Sequence, residues 1–112
     1  MVARSKAIGN AFEYRCIDDY YNDGFGYVYK SWGSHGLQDI MAFKPVYTGK
    51  KYGTLSLVHM VQCKTNKYGF TKTPKDREDA IQLAQAATDG GCRSVHMYRE
   101  KKYGPLVRLF TN

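Results

Sequence analysis

Four residues of this chain have types that could act together in metal-assisted phosphodiester hydrolysis: Glu13, Asp39, Gln62 and Lys64. Mg²⁺ takes hard oxygen ligands, including one or two carboxylates, and keeps several waters. Bound beside a phosphate, such an ion polarises it, acidifies a water and stabilises the leaving oxygen. A lysine next to it can orient the nucleophile and offset negative charge in the transition state.

Spacing supports a convergence of the four. Asp39 begins one apolar segment, and Gln62 and Lys64 stand two apart at the end of the next. Residues two apart on a strand share a face. If the strands are neighbours, Asp39 and Gln62 approach each other, with Glu13 projecting from a helix packed nearby. The pattern is not specific, because an acidic residue followed by QxK arises by chance. The structural alternative is that Asp39 caps a strand, Gln62 hydrogen-bonds a neighbour and Lys64 is solvated. Two features favour the chemical reading. Lys64 ends a segment otherwise too apolar for a lone charge, so it should lie near a carboxylate or a metal. The loop that follows mixes Lys67 and Lys72 with Tyr68 and Phe70, a combination suited to phosphate contact and base stacking, or to an ordinary solvated loop.

The elements that must position these residues alternate in type. Residues 5–22 predict a helix, with Ile8, Ala11, Phe12, Cys16 and Tyr20 as its apolar stripe and Gly24 as its ending residue. Gly9 is a mild cost within it. Residues 25–31 and 39–46 predict strands separated by the turn 33–36, and 48–53 is a basic loop. Residues 54–64 form the longest apolar run and predict a central strand buried on both faces. Thr73-Pro74-Lys75-Asp76 announces a second helix, with Thr73 as N-cap, Pro74 in the first helical position and Asp76 at capping-box distance. Ala80, Leu83, Ala84 and Ala87 form its stripe and Gly90-Gly91 its end. Residues 94–98 and 106–110 are two final strands around a turn at 101–105. The order of helix, three strands, helix, two strands implies an α/β sandwich with a mixed sheet of about five strands.

A length of 112 residues predicts a single domain, with room for one core and one shallow site. The net charge of +7 favours a polyanionic partner. No apolar run approaches the roughly 20 residues that span a bilayer, and residues 1–10 lack a signal peptide's apolar stretch. A soluble, cytoplasmic protein without a membrane partner is expected. Cys16, Cys63 and Cys92 form no CxxC pair and His35, His59 and His96 are scattered. That argues against a disulfide framework or a zinc site, and makes the cysteines small core residues.

The frame Gly9…Glu13…Gly24-Phe25…Lys30-Ser31-Trp32-Gly33-Ser34-His35-Gly36…Asp39-Ile40-Met41-Ala42…Val61-Gln62-Cys63-Lys64-Thr65 resembles the PD-(D/E)XK nuclease superfamily. Within it, the similarity is to archaeal-type Holliday junction resolvases, and it covers about residues 5–98. The combination and order are specific; no single piece is. The resemblance implies a restriction-endonuclease-like sandwich. Asp39 would be the principal metal ligand and Lys64 the catalytic lysine. Gln62 would offer its amide oxygen where the family usually has glutamate. Glu13 would hold metal directly or through water, and Ser34 would lie in the turn placed against the scissile phosphate. Lys30 falls where the family often carries arginine, a phosphate contact, and His35 would serve the turn or a phosphate. Arg4, Lys6, Lys67 and Lys72 complete the expected DNA-binding set. The cofactor implied is Mg²⁺, with Mn²⁺ substituting. The partners implied are a four-way DNA junction and a second copy of the chain, each subunit nicking one strand. Two departures stand out. Gln38 replaces the motif's proline, and Gln62 removes one negative charge from the metal site, which lowers Mg²⁺ affinity or leaves one ion instead of two.

Two other readings compete. One keeps the chemistry and changes the substrate to nicked, flap or duplex DNA. The other is a non-catalytic junction-binding protein, supported by Gln62 and opposed by the survival of Glu13, Asp39 and Lys64 as a set. An RNA-binding domain using the aromatics is the weakest alternative.

Overall fold

The computed structural model describes residues 2–31, 37–47 and 54–112, without the side chains of residues 2–7, 46–47 and 54–55. Ser34 and His35 therefore lie outside the described residues, as do the side chains of Arg4 and Lys6.

Two helices and five strands follow the expected order: α1 (Val2–Asn22), β1 (Tyr27–Lys30), β2 (Ile40–Tyr47), β3 (Thr54–Cys63), α2 (Pro74–Asp89), β4 (Arg93–Arg99) and β5 (Leu106–Phe110). The strands form one sheet in sequence order. β1–β2, β2–β3 and β4–β5 pair antiparallel, and β3–β4 pair parallel across the α2 connection. The fold is an α/β sandwich on a mixed sheet. Among the described residues no helix is long and apolar enough to cross a membrane.

Both helices end as the glycines require. Gly24 takes a φ of 88° and Gly91 a φ of 71°. Beyond them the amides of Phe25 and Cys92 reach back to the carbonyls of Tyr20 (3.2 Å) and Ala87 (2.7 Å). This left-handed ending satisfies carbonyls that would otherwise be orphaned. The first of these turns drives Phe25 into the core, 3% exposed, so β1 begins only at Tyr27 instead of at residue 25. At the start of α2 the Thr73–Asp76 capping box forms in full.

The main core lies between α1 and the sheet. Phe12, Cys16 and Tyr20 of α1 pack on Ile40, Ala42, Val61, Cys63, Val95 and Met97. Each large apolar side chain buried in this way contributes about 1.5–3 kcal/mol. Ile8 and Ala11 continue the stripe in sequence but stay exposed, because the stripe there runs beyond the sheet. On the opposite face, Leu83 and Ala87 of α2 are buried. β3 is less enclosed than its apolar run predicts. His59, Val61, Gln62 and Cys63 are buried, whereas Ser56 and Leu57 are exposed. β1 pairs with residues 40–43 and β4 with 59–63, so among the described residues the outer half of the β2–β3 hairpin has no strand beside it.

The loop after β3 holds a short 3₁₀ helix, η1 (Lys67–Phe70), that the sequence pattern does not announce. Asn66 caps it by accepting from the Gly69 amide at 3.0 Å. Phe70 turns inward and stacks on His96, ring centroids 4.1 Å apart. It is therefore a core residue and offers no face to a base, contrary to its reading as a stacking residue. Tyr68 is 79% exposed, and Lys67 and Lys72 are exposed as well.

Candidate active site at the end of the sheet

Asp39 reaches its place through a break in the β2–β3 ladder. The regular register pairs Ile40 with Val61, so the next ladder bond would join Asp39 to Gln62. Instead the Asp39 amide donates to the Val61 carbonyl at 2.8 Å. This one-residue slip is bulge-like, and such irregularities re-aim side chains at strand ends. The Asp39 carboxylate then accepts from the Cys63 amide at 2.7 Å, in place of the strand carbonyl that β2 no longer supplies.

Glu13 comes from α1, one residue after the buried Phe12. Lys30, at the end of β1, holds it at 3.3 Å, and the same ammonium donates to Asn10 at 3.1 Å. The expected phosphate contact Lys30 is thus engaged with the acid it neighbours. Glu13 and Asp39 line one cleft of about 440 Å³ together with Ile8, Gly9, Phe12, Cys63, Lys64 and Thr65. Burial, reinforced by the Glu13 charge, pushes the Asp39 carboxyl up to about 6; the Cys63 amide and the cations Lys64 and Lys30 pull the other way. Cys63 is a thiol here, since hydrogen bonding to Cys16 and burial hold its proton well above the usual range. Cys16 and Cys63 are both core residues, and Cys92 is partly exposed.

Gln62 and Lys64 are placed differently. Val61 and Cys63 point into the α1-side core, so Gln62 between them turns to the other face. Its amide nitrogen donates to the Leu37 carbonyl at 3.1 Å. Gln62 is 8% exposed and does not line the Glu13–Asp39 cleft. Lys64 follows the last residue of β3 and borders two clefts, the acidic one and one of about 550 Å³ bounded by Asn66, Tyr68, Gly69, Lys72 and Asp76. Its stem lies against Gly69, where an added Cβ would come within 2.9 Å of the Lys64 Cβ. A side chain at 69 would displace the lysine. The Lys64 ammonium sits 3.7 Å from Asp76, so the expected carboxylate beside it is Asp76 of the α2 cap.

Each of the three strand residues therefore also has a structural partner: Asp39 caps the ladder, Gln62 anchors Leu37 and Lys64 meets Asp76. Glu13, Asp39 and Lys64 still share one open cleft. As donors, the two carboxylates suit a hard divalent cation, and Gln62, on the other face of β3, does not join them, contrary to its expected place as a ligand. The partial protonation that burial and Glu13 impose on Asp39 is the state that such a cation would relieve. Among the described residues no group of three or more His, Cys, Asp or Glu side chains is arranged to hold a metal.

Three cations that sequence reasoning passed over stand close by. Arg15, Arg99 and Lys102 line a cleft of about 790 Å³ that shares Ile8 and Phe12 with the acidic one. Only the sheet brings residues 15 and 99 together, so no local signal could reveal the group. In comparisons with known proteins, the chain matches no family model, no curated protein and no solved structure.

Proposed function

We propose that the protein is a divalent-metal-dependent DNA endonuclease acting on four-way junctions. The observation that carries this reading is the shared cleft of Glu13, Asp39 and Lys64 at the end of the sheet. Asp39 and Glu13 would hold the metal, without Gln62, whose side chain lies outside their cleft. When bound, Mg²⁺ supplies Lewis-acid activation of a water and charge neutralisation at the phosphate. The chain's own groups do the rest. Lys30 and Asn10 fix the Glu13 carboxylate's surroundings. The Cys63 amide fixes Asp39. Lys64, 44% exposed along its side chain, borders the same cleft and would meet a phosphate bound there. The net charge of +7 favours the polyanion. The resemblance to junction resolvases adds the branched substrate and a symmetric homodimer, in which each subunit nicks one strand.

A second reading, a DNA-binding protein without catalysis, is favoured by the engagement of Gln62 with Leu37 and of Lys64 with Asp76. One experiment separates them. A labelled synthetic four-way junction, with duplex and flap controls, is incubated with the protein in Mg²⁺ and in Mn²⁺. Paired nicks confined to the junction, lost in Asp39→Asn, establish the nuclease. Cutting of flap or duplex instead moves the substrate. Tight binding without cutting in either metal leaves the non-catalytic reading.

A further inference from the structure

The cleft beside the acidic site has an apolar floor, a cationic wall and a strained aromatic at its mouth. Ile8, 50% exposed, and Phe12 form the floor. Arg99, two residues past the buried Met97, extends over the Phe12 ring at 5.3 Å. Lys102 and Tyr103 occupy the turn between β4 and β5, closed by the Gly104 amide donating to the Lys101 carbonyl at 2.8 Å. Arg15 of α1 donates to the Gly104 carbonyl and ties this turn to the helix. Among the described residues, neither Arg99 nor Lys102 forms an ion pair.

Tyr103 is the anomaly. It is the one non-glycine described residue with positive φ, at 61°, and it is 80% exposed. A left-handed backbone disfavours any residue with a Cβ, and such strain gathers where a side chain must be presented in one direction. Among the described residues the ring contact found for it is with the Lys102 ammonium at 5.3 Å, which gives no packing reason for a tyrosine here. Glycine would fit the turn better. A ring held out beside two cations lacking acidic partners matches a nucleotide: the phosphate takes the charges and the base takes the ring.

We propose that this cleft is a flanking-nucleotide subsite. Arg99 and Lys102 take a backbone phosphate of the DNA strand that crosses Glu13 and Asp39, and Tyr103 stacks on the face of the adjoining base that the open branch point exposes. The shared Ile8–Phe12 ridge makes the two clefts one continuous track along α1. The inference rests on the nuclease reading for the identity of the polymer.

The test is binding of a fluorescent four-way junction in EDTA, followed by anisotropy between about 50 and 200 mM salt. Each phosphate contact contributes about 0.9 to the slope of log K against log salt. Arg99→Gln with Lys102→Gln should make the slope shallower by about 1, whereas Tyr103→Gly should weaken binding about tenfold with the slope unchanged. Lys102→Gln alone, on an exposed residue, keeps the test open should Arg99→Gln fold poorly. Wild-type slope and affinity in all variants overturn the subsite while leaving the nuclease intact. Failure of the wild-type protein to bind any DNA overturns both.

Discussion

Near its C-terminal end α1 sets Tyr20 against His59, and at its middle it sets Glu13 across a cleft from Asp39. Both places bring polar groups to the same helix–sheet interface. At the first, every group found in contact is matched. The Tyr20 hydroxyl lies 3.1 Å from His59 Nδ1. Arg108 lies over the Tyr20 ring at 3.9 Å and forks onto Asp19 at 3.0 Å and Asp23 at 2.7 Å. Phe25 and Phe110 close the histidine between them. Burial, with Arg108 and Arg93 nearby, lowers His59 to about 4, and burial raises the Tyr20 hydroxyl. The pair is therefore a neutral donor and a neutral acceptor. At the second place a carboxyl raised to about 6 faces another acid across an open cleft. A polar cluster that is matched and sealed holds a fold together, while one left incompletely matched at an opening is available to a ligand.

The sharpest break of that comparison is a pair of substitutions. Asp39→Asn should lower metal-dependent cleavage by roughly a thousandfold or more, with thermal stability and junction binding retained. Arg108→Leu should do the reverse, costing about 1–3 kcal/mol in urea unfolding through lost stacking and ion pairs, with the cutting rate per folded molecule unchanged. If Arg108→Leu removes cutting at full stability, the two ends are not separable.

Acid titration in EDTA sharpens the contrast. His59 binds its proton at about 6.5 when unfolded and about 4 when folded, so its contribution is complete above 6.5 and is lost as pH falls toward 4. Asp39 is raised from 3.8 to about 6, so the folded form holds the extra proton and stability rises as pH falls through the same window. Each contribution is at most about 3 kcal/mol, and the two oppose. The wild-type protein should show a shallow profile between pH 4 and 6.5. Asp39→Asn should lose stability steeply on acidification, and His59→Gln should gain it. Parallel profiles for all three proteins would remove the electrostatic account.

Gln62→Glu should leave Mg²⁺ binding unchanged by calorimetry, because residue 62 faces away from the Glu13–Asp39 cleft. It should cost about 1 kcal/mol in stability, because a carboxylate replaces the donor to Leu37. Tighter metal binding in the variant would place Gln62 in the site. The smallest effect is expected at Tyr103. Tyr103→Gly should raise stability by about 1 kcal/mol by releasing the left-handed strain, a gain that no matched position of the Tyr20–His59 cluster can offer.

The helix endings at Gly24 and Gly91, the Thr73–Asp76 cap and the order of elements were legible because they depend on neighbours in the chain. Glu13, Asp39 and Lys64 were legible as a set because strand and helix periods place them at one end of the sheet. Phe70, read as a stacking residue, turned inward, because the 3₁₀ helix that buries it is decided by contact with His96 on a distant strand. The full face of Gln62 and the partner of Lys64 were equally out of reach. A one-residue slip at Asp39 redirects a side chain, and no pattern of residue types records such a slip. The matched Arg108–Asp19–Asp23 fork and the seating of Arg99 over Phe12 join residues some eighty to ninety positions apart, through contacts of α1 with the sheet that only the folded chain makes. The sequence by itself determined which elements form and where the acids, cations and aromatics fall along them, since propensity and spacing are local. The tertiary structure alone decided which polar groups are sealed and which are left open, since that depends on what the rest of the chain packs against them.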